Sequence, residues 1–124
     1  MATQRDDGPT APRVRSKIWI ERGERVLLSE WRVELLEAVA ETGSLAAAAE
    51  RLGVPYRTAW ERVRETEASL GFRLLATESG GAEGGGSRLT AEARDLVARF
   101  RRVTAGVAEL VERRFRNEFG ELLR

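Results

Sequence analysis

The chain has 124 residues and a mass of 13.8 kDa, which is enough for one domain with a tail or an appended helix. It contains neither cysteine nor histidine, so it offers no disulfide, no thiolate or imidazole metal ligand and no imidazole general base. No apolar run approaches the roughly 18 residues that a membrane span needs, and residues 1–13 do not have the pattern of a signal peptide. We therefore expect a cytoplasmic protein that is not an enzyme and does not contact membrane.

The net charge is only +1, so the chain as a whole lacks the basic excess that indicates nucleic acid. Its cations are nevertheless unusual in kind, because twenty are arginine and only Lys17 is lysine. The planar guanidinium group suits phosphate oxygens and guanine edges. Arginine on solvated helix faces, encoded by a GC-rich genome, explains the count equally well, so composition alone does not decide.

The N-terminal part of the sequence predicts a tail and a hairpin. Residues 1–13 are polar, contain Gly8, Pro9 and Pro12, and predict a disordered tail. In "VRSKIWIERGERVLL", polar and apolar residues alternate before Gly23 and an apolar run follows it. This pattern predicts a β-hairpin with its turn at Gly23.

A first helix is predicted from Glu30 to about Glu41, with Ser29 as its N-cap. The helix ends at Thr42 and Gly43. Apolar residues recur along it at the spacing of one helix face, and they form the inner stripe Leu35, Leu36 and Val39.

The stretch "TGSLAAAAERLGVPYRTAWERVRE" predicts two more helices that meet in a tight corner. Ser44 caps the first of them, "LAAAAERL", which stops at Gly53, and Pro55 is expected as the first residue of the next. Helices that cross closely need small side chains, and Ala48 and Ala49 supply them. The spacing predicts a helix-turn-helix, although an ordinary αα-corner shares these features.

The third helix, which Gly71 ends, has an inner and an outer face. The inner residues follow one another at intervals of four, three and four: Ala59, Val63, Thr66 and Leu70. Recognition helices enter the major groove of DNA by their N-terminal residues. The outer face carries side chains suited to such contacts, namely Tyr56, Arg57, Trp60, Glu61 and Arg64.

Each candidate DNA-binding residue has an expected contact. Arg57 and Arg64 would reach guanine edges or phosphates, and Trp60 would pack on a sugar or a thymine methyl group. The remaining phosphate contacts would come from Tyr56, from Thr58, and from the hydroxyl and N–H of Ser44 at a helix N-terminus.

Two alternatives remain open on this face. Trp60 can instead be half-buried against the first helix. Glu61 repels phosphate, and we expect it to pair with Arg57 or Arg64 rather than accept a hydrogen bond from a cytosine amine.

The stretch "FRLLATESGGAEGGGSRLT" predicts two strands joined by a loop with five glycines in seven residues, Gly80 to Gly86. The first strand begins at Leu74 and Leu75, and the second, returning strand contains Arg88 and Leu89. A hairpin directly after the third helix is the position of the wing in a winged helix, where Ser87 and Arg88 would reach phosphate or the minor groove. A bare flexible linker is the alternative, and a P-loop is excluded because no lysine and Ser/Thr follow the glycines in order.

Thr90 is expected to cap a long helix that runs to about Phe119. Its apolar stripe is too long for a small core to cover, and an uncovered stripe indicates a partner. We expect a homodimer formed through Phe100, Val103, Val107 and Leu110. The predicted fold is mainly α with small β: a disordered tail (1–13), a winged helix-turn-helix DNA-binding domain with an N-terminal β-hairpin (14–89) and a long C-terminal dimerisation helix (90–124).

The helix-turn-helix stretch, the glycine-rich hairpin closing in "LT" and the long helix together resemble the N-terminal winged-helix domain of ModE-type molybdate-responsive transcriptional regulators. A more distant resemblance is to the LysR-type DNA-binding domain. The resemblance covers roughly residues 15–115. It implies a homodimer, formed largely through the hairpin and the flanking helices, that binds a palindromic operator as a repressor.

Two features depart from the family pattern. The wing of the family usually carries a basic residue beside its glycines, whereas this chain has Glu78 and Glu83, which argue against a phosphate contact at the wing tip. Family members continue into molybdate-binding modules, but no molybdate site is evident here, so we expect no cofactor. The main expectation is a sequence-specific DNA-binding transcriptional regulator; the alternative, which the near-zero net charge favours, is a winged-helix protein–protein interaction module that does not bind DNA.

Overall fold

A computed structural model describes residues 10–77 and 86–123 of the chain. Most of the predicted tail and most of the glycine-rich loop, including Glu78 and Glu83, lie outside these residues. The chain divides into two compact units: Ile18–Val103, and a second unit that combines the residues up to Lys17 with those from Thr104 onward. Within the two described ranges, no helix is long and apolar enough to cross a membrane.

The predicted N-terminal hairpin is confirmed. Strands β1 (Trp19–Arg22) and β2 (Arg25–Ser29) pair antiparallel, and Gly23 occupies the turn with a φ of 63°. Strand β1 is exposed along its whole length, whereas Leu27 and Leu28 of β2 are buried. The buried apolar side chains that join the two strands to the core therefore come from β2, and Arg22 of β1 adds a hydrogen bond to the carbonyl of Ser69 on the third helix at 3.4 Å.

Helices α1 (Glu30–Thr42) and α2 (Leu45–Leu52) begin and end as the capping signals predict. The hydroxyl of Ser29 accepts from the N–H of Arg32 at 3.2 Å, and that of Ser44 accepts from the N–H of Ala47 at 2.8 Å. Each helix ends at a glycine in the left-handed conformation, Gly43 for α1 and Gly53 for α2.

Helix α3 (Tyr56–Leu70) begins one residue later than predicted. Pro55 has an extended ψ of 148°, so it is the N-cap and not the first helical residue. Its carbonyl nevertheless accepts the first helical hydrogen bond, from the N–H of Ala59 at 3.2 Å. The predicted inner face is confirmed, with Ala59, Val63 and Thr66 buried and Leu70 half-buried.

The corner between α2 and α3 depends on small side chains. Ala48, Ala49 and Ala59 are 0%, 2% and 0% exposed, and they belong to the same core cluster as Leu36 and Val39 of α1. A larger side chain at any of these alanines would push two helices apart, because protein cores have few voids. The alanine run therefore sets how closely the three helices pack.

The predicted wing strands are β3 (Leu75–Thr77) and β4 (Ser87–Leu89), and they pair antiparallel. Their base is attached to the helices, because the N–H of Ser87 donates to the carbonyl of Gly43 at 2.9 Å. A Cβ at Gly86 would lie only 2.9 Å from that same carbonyl oxygen. This close approach requires glycine at position 86.

The C-terminal helix is present as two segments, α4 (Ala91–Thr104) and α5 (Val107–Phe119). Thr90 caps α4 as predicted, since its hydroxyl accepts from the N–H of Ala93 at 3.0 Å. The segments are separated by Ala105 and Gly106, and the φ of Gly106 is +77°, which an α-helix cannot contain. The break was not predicted.

Phe100 departs from the expectation of an uncovered stripe. It is 1% exposed and packs with Leu28 and Val33 in the core of its own unit. Val103, three residues further along α4, is 59% exposed. Phe100 is therefore a core residue of its own chain, and α4 turns Val103 towards solvent.

Candidate nucleic-acid interface

The outer face of α3 presents two large aromatic side chains. Tyr56 is 53% exposed and Trp60 is 43% exposed. The guanidinium carbon of Arg64 lies 5.3 Å from the centroid of the Trp60 ring, which is the geometry of a cation–π contact. The face thus combines flat apolar surface with a cation held close to it.

Every arginine of α3 lies close to a glutamate of the same helix. Glu61 pairs with Arg57 at 3.7 Å, which confirms that Glu61 has an arginine partner. The other two pairs are Arg62–Glu65 at 3.7 Å and Arg64–Glu67 at 2.9 Å. The Arg57 side chain is 83% exposed, so its ion pair is weak and easily exchanged.

The two polar candidates near the corner are less accessible. Ser44 is half-buried, its hydroxyl oxygen caps α2, and its N–H donates to the hydroxyl oxygen of Thr42 at 3.3 Å. Both groups that we expected to bind phosphate therefore have a partner within the chain. Thr58 is half-buried on the first turn of α3.

An open cleft lies between α3 and the wing strands. It brings together four of the predicted DNA-binding residues, because Tyr56, Trp60 and Arg64 line one side and Ser87 of β4 lines the other. The remaining candidates, Ser44, Arg57, Thr58 and Arg88, are not part of its lining. Arg88 is exposed and lies opposite Ala76 in the β3–β4 ladder.

The cleft also contains a buried carboxylate that we did not predict. Glu67 is 7% exposed and accepts hydrogen bonds from the N–H groups of Leu74 and Leu75 and from the side chains of Arg64 and Arg73. Burial raises the pKa of Glu67, but these four donors outweigh it, so the pKa lies below its ordinary value. The carboxylate is therefore charged at neutral pH.

A sequence signal for Glu67 existed. It lies four residues after Val63 and three before Leu70, which places it on the inner face of α3. A glutamate at such a position needs partners when buried, and only the tertiary structure reveals which groups supply them.

Two arginines hold α1 against its neighbours. Arg32 donates to the hydroxyl of Thr66 on α3 at 2.7 Å, and burial lowers the pKa of its guanidinium. Arg101 of α4 donates to Glu37 at 2.7 Å and to Glu30 at 2.9 Å, and these hydrogen bonds raise its pKa. Charged side chains therefore hold α1 against α3 and α4, in addition to the apolar core.

The remaining residues predicted for dimerisation lie in two different units. Val103 is on α4 of the first unit, and Val107 and Leu110 are half-buried on α5 of the second. Among the described residues of α5 none is fully buried, and the rings of Phe115 and Phe119 stack at 5.7 Å.

Residues 32–94 match the sequence family of bacterial regulatory helix-turn-helix proteins of the LysR family. That range runs from α1 to the start of α4 and includes the cleft. A crystal structure of the CbnR DNA-binding domain in complex with DNA is 30% identical, with a TM-score of 0.53 over 67% of this chain and 90% of that one. The similarity therefore covers nearly the whole of that domain.

Two relatives are described as molybdenum proteins. The molybdenum-pterin-binding protein MopB of Rhodobacter capsulatus is 39% identical over 80 residues, which is 64% of this chain and 30% of MopB. The molybdenum transport protein ModE of Azotobacter vinelandii is 32% identical over 92 residues, which is 74% of this chain and 34% of ModE. These matches confirm the resemblance to ModE-type proteins, and the chain spans about a third of the length of each relative.

Proposed function

We propose that this chain, which belongs to the LysR family of bacterial regulatory helix-turn-helix proteins, is a transcriptional regulator that binds double-stranded DNA through α3. The observation that carries the proposal is the outer face of α3, where Tyr56, Arg57, Trp60 and Arg64 are all exposed beside the helix-turn-helix corner. A helix in this position enters the major groove with such side chains against base edges and phosphates. The CbnR domain similar to this chain was crystallised with DNA, which supports the same role here.

Arg57 would act by exchanging its carboxylate partner for DNA. The exposed Arg57–Glu61 pair contributes only about 0.3–0.5 kcal/mol, so a phosphate can replace Glu61 at little cost. Tyr56 and Thr58 would add phosphate contacts at the N-terminus of α3, and the hydroxyl hydrogen of Ser44 would add one at the N-terminus of α2. On the wing, Ser87 and Arg88 would contact the backbone beside the groove that α3 occupies.

The finer part of the proposal is a homodimer that represses from a palindromic operator. Val103, Val107 and Leu110 are the apolar residues that we assign to self-association. A symmetric dimer presents two copies of α3, so its half-sites would lie about one helical turn of DNA apart. The molybdenum chemistry of the relatives is not part of the proposal.

A protein–protein interaction module is the alternative. It is favoured by the charge balance of α3, where Arg57, Arg62 and Arg64 are matched by three glutamates of the same helix. In that case the exposed aromatic residues Tyr56 and Trp60 would contact a protein surface.

A salt titration separates the two functions. Binding of the 124-residue chain to duplex DNA should weaken as salt rises, because each neutralised phosphate releases condensed counterions. We expect log Kobs to fall linearly with the logarithm of the salt concentration, with a slope of about −2 per protomer or steeper. No binding to duplex DNA at low salt, or binding without salt dependence, would contradict the proposal.

A further inference from the structure

One carboxylate in the first unit joins α3 to the wing. Oε1 of Glu67 accepts from Nη1 of Arg64 at 2.9 Å, and Oε2 accepts from the N–H of Leu74 at 2.7 Å and of Leu75 at 3.3 Å. Arg73 donates to the same Oε2 at 3.4 Å. The two oxygens thus have separate roles, because one fixes a side chain of α3 and the other fixes the backbone at the start of β3.

The guanidinium of Arg64 is held from two sides. Glu67 binds it through a charge-assisted hydrogen bond, and the Trp60 ring lies 5.3 Å from it. One of the five N–H donors of the guanidinium is used on Glu67, so the planar fork keeps donors for an external acceptor. Its side chain is 43% exposed at the cleft, where such an acceptor can approach.

Arg57 has no comparable restraint among the described contacts. Its only ion pair in the described part of the chain is the 3.7 Å contact with Glu61, and both side chains are at least half exposed. A long side chain loses conformational entropy when it binds, and a restrained one loses less. Arg57 would therefore lose more conformational entropy on binding DNA than Arg64 would.

We propose that Glu67 is a positioning residue for sequence discrimination, and that it acts through Arg64. This inference rests on the proposed function, in which α3 reads DNA. Glu67 orients the guanidinium fork of Arg64 towards a base edge and sets that orientation relative to β3. Discrimination between base sequences then depends on Arg64, whereas Arg57 contributes mainly to affinity for phosphate.

The test is a double-mutant cycle on the full chain. Glu67→Gln, Arg64→Ala and the double variant are compared with the unmodified protein. The quantity measured is the ratio of dissociation constants for a scrambled duplex and for the duplex that the unmodified protein selects from a random pool. Glu65→Gln is the control on the same helix, because Glu65 also pairs with the arginine three residues before it. Its other described ion pair is with Arg32 of α1, and none is with Arg64.

We expect Glu67→Gln to lower the discrimination ratio by about tenfold or more when Arg64 is present. In the Arg64→Ala background the same change should alter the ratio by less than about twofold, because the side chain through which Glu67 acts is already absent. Glu65→Gln should leave the ratio within about twofold in both backgrounds. An unchanged ratio for Glu67→Gln, or an equal fall in both backgrounds, would overturn the inference and leave the proposed function standing.

A second variant covers the case in which Glu67→Gln does not fold. Arg64→Lys keeps a cation beside Glu67 but removes the planar fork, at a side chain exposed enough for the fold to tolerate the change. It should also lower the ratio about tenfold or more, and full retention of discrimination would overturn the inference. Absence of DNA binding by the unmodified protein would overturn the proposed function and this inference with it.

Discussion

Replacing both Arg57 and Arg64 by alanine should abolish sequence-specific DNA binding without unfolding the chain. Loss of a base-edge contact from Arg64 should cost about 1–3 kcal/mol, and loss of the Arg57 phosphate contact should weaken binding further, so the two changes together should weaken binding by roughly tenfold or more. The fold should survive, because the Arg57 and Arg64 side chains are 83% and 43% exposed. Fluorescence anisotropy with a labelled duplex measures the affinity, and circular dichroism measures the fold.

A control variant shows whether affinity depends on where the two lost charges lie or only on the loss of two positive charges. Arg99→Ala with Arg116→Ala removes two exposed arginines that pair with carboxylates four residues away, on α4 and α5. This control should change affinity far less than the α3 variant. The assignment of α3 as the recognition helix is wrong if the α3 variant binds as tightly as the unmodified protein, or if the control loses as much.

Phe100→Ala should lower the free energy of unfolding by about 3–5 kcal/mol, because it leaves a cavity between α4, β2 and α1. Phe100 is 1% exposed and packs with Leu28 and Val33, so few atoms can move into the space. Domains of this size have total stabilities of about 5–15 kcal/mol, so the variant should be close to unfolding. Urea denaturation followed by circular dichroism measures the loss.

Val103→Ala is the matched control on the same helix. Val103 is 59% exposed in a single chain, so at concentrations too low for self-association this change should alter the free energy of unfolding by no more than about 0.5 kcal/mol. Sedimentation of the same variants tests the proposed dimer contact. If Phe100→Ala weakened self-association and left the unfolding free energy within about 0.5 kcal/mol of the original, Phe100 would be an interface residue and its placement in the core would be wrong.

The features that sequence predicted well are those that depend on chain neighbours. A serine hydroxyl caps a helix by reaching an N–H three residues on, so Ser29 and Ser44 could be assigned from the local sequence alone. Gly43 and Gly53 end their helices for an equally local reason, a left-handed conformation that glycine adopts without strain. Pro55 was placed one residue too far into α3, because a proline is acceptable both at the N-cap and at the next position.

The features that sequence missed depend on contacts between distant residues. The apolar spacing of α4 does not show whether Phe100 faces its own core or a partner, and the contact with Leu28 of β2 decides it. Glycine inside a helix costs only about 1 kcal/mol, so the sequence around Gly106 permitted both a continuous helix and a break. Glu67 is buried because the start of β3 turns its backbone N–H groups towards α3, which local periodicity does not reveal.

Spacing also left open two questions on the outer face of α3 that the structure answers. Helical periodicity placed Trp60 on the outer face but left open how far its ring is buried, and the structure leaves the residue 43% exposed. The sequence allowed Glu61 to pair with Arg57 or with Arg64, and in the structure it pairs with Arg57, whereas Arg64 is bound to the buried Glu67.

Selection of bound sequences from a pool of random DNA duplexes tests the central claim most directly. A dimer that reads DNA with two symmetric copies of α3 should enrich a palindromic consensus whose half-sites lie about one helical turn apart. That result would support the function, the symmetry and the role of α3 together. A pool that shows no enrichment after repeated rounds of selection would contradict the account and favour the protein–protein interaction module.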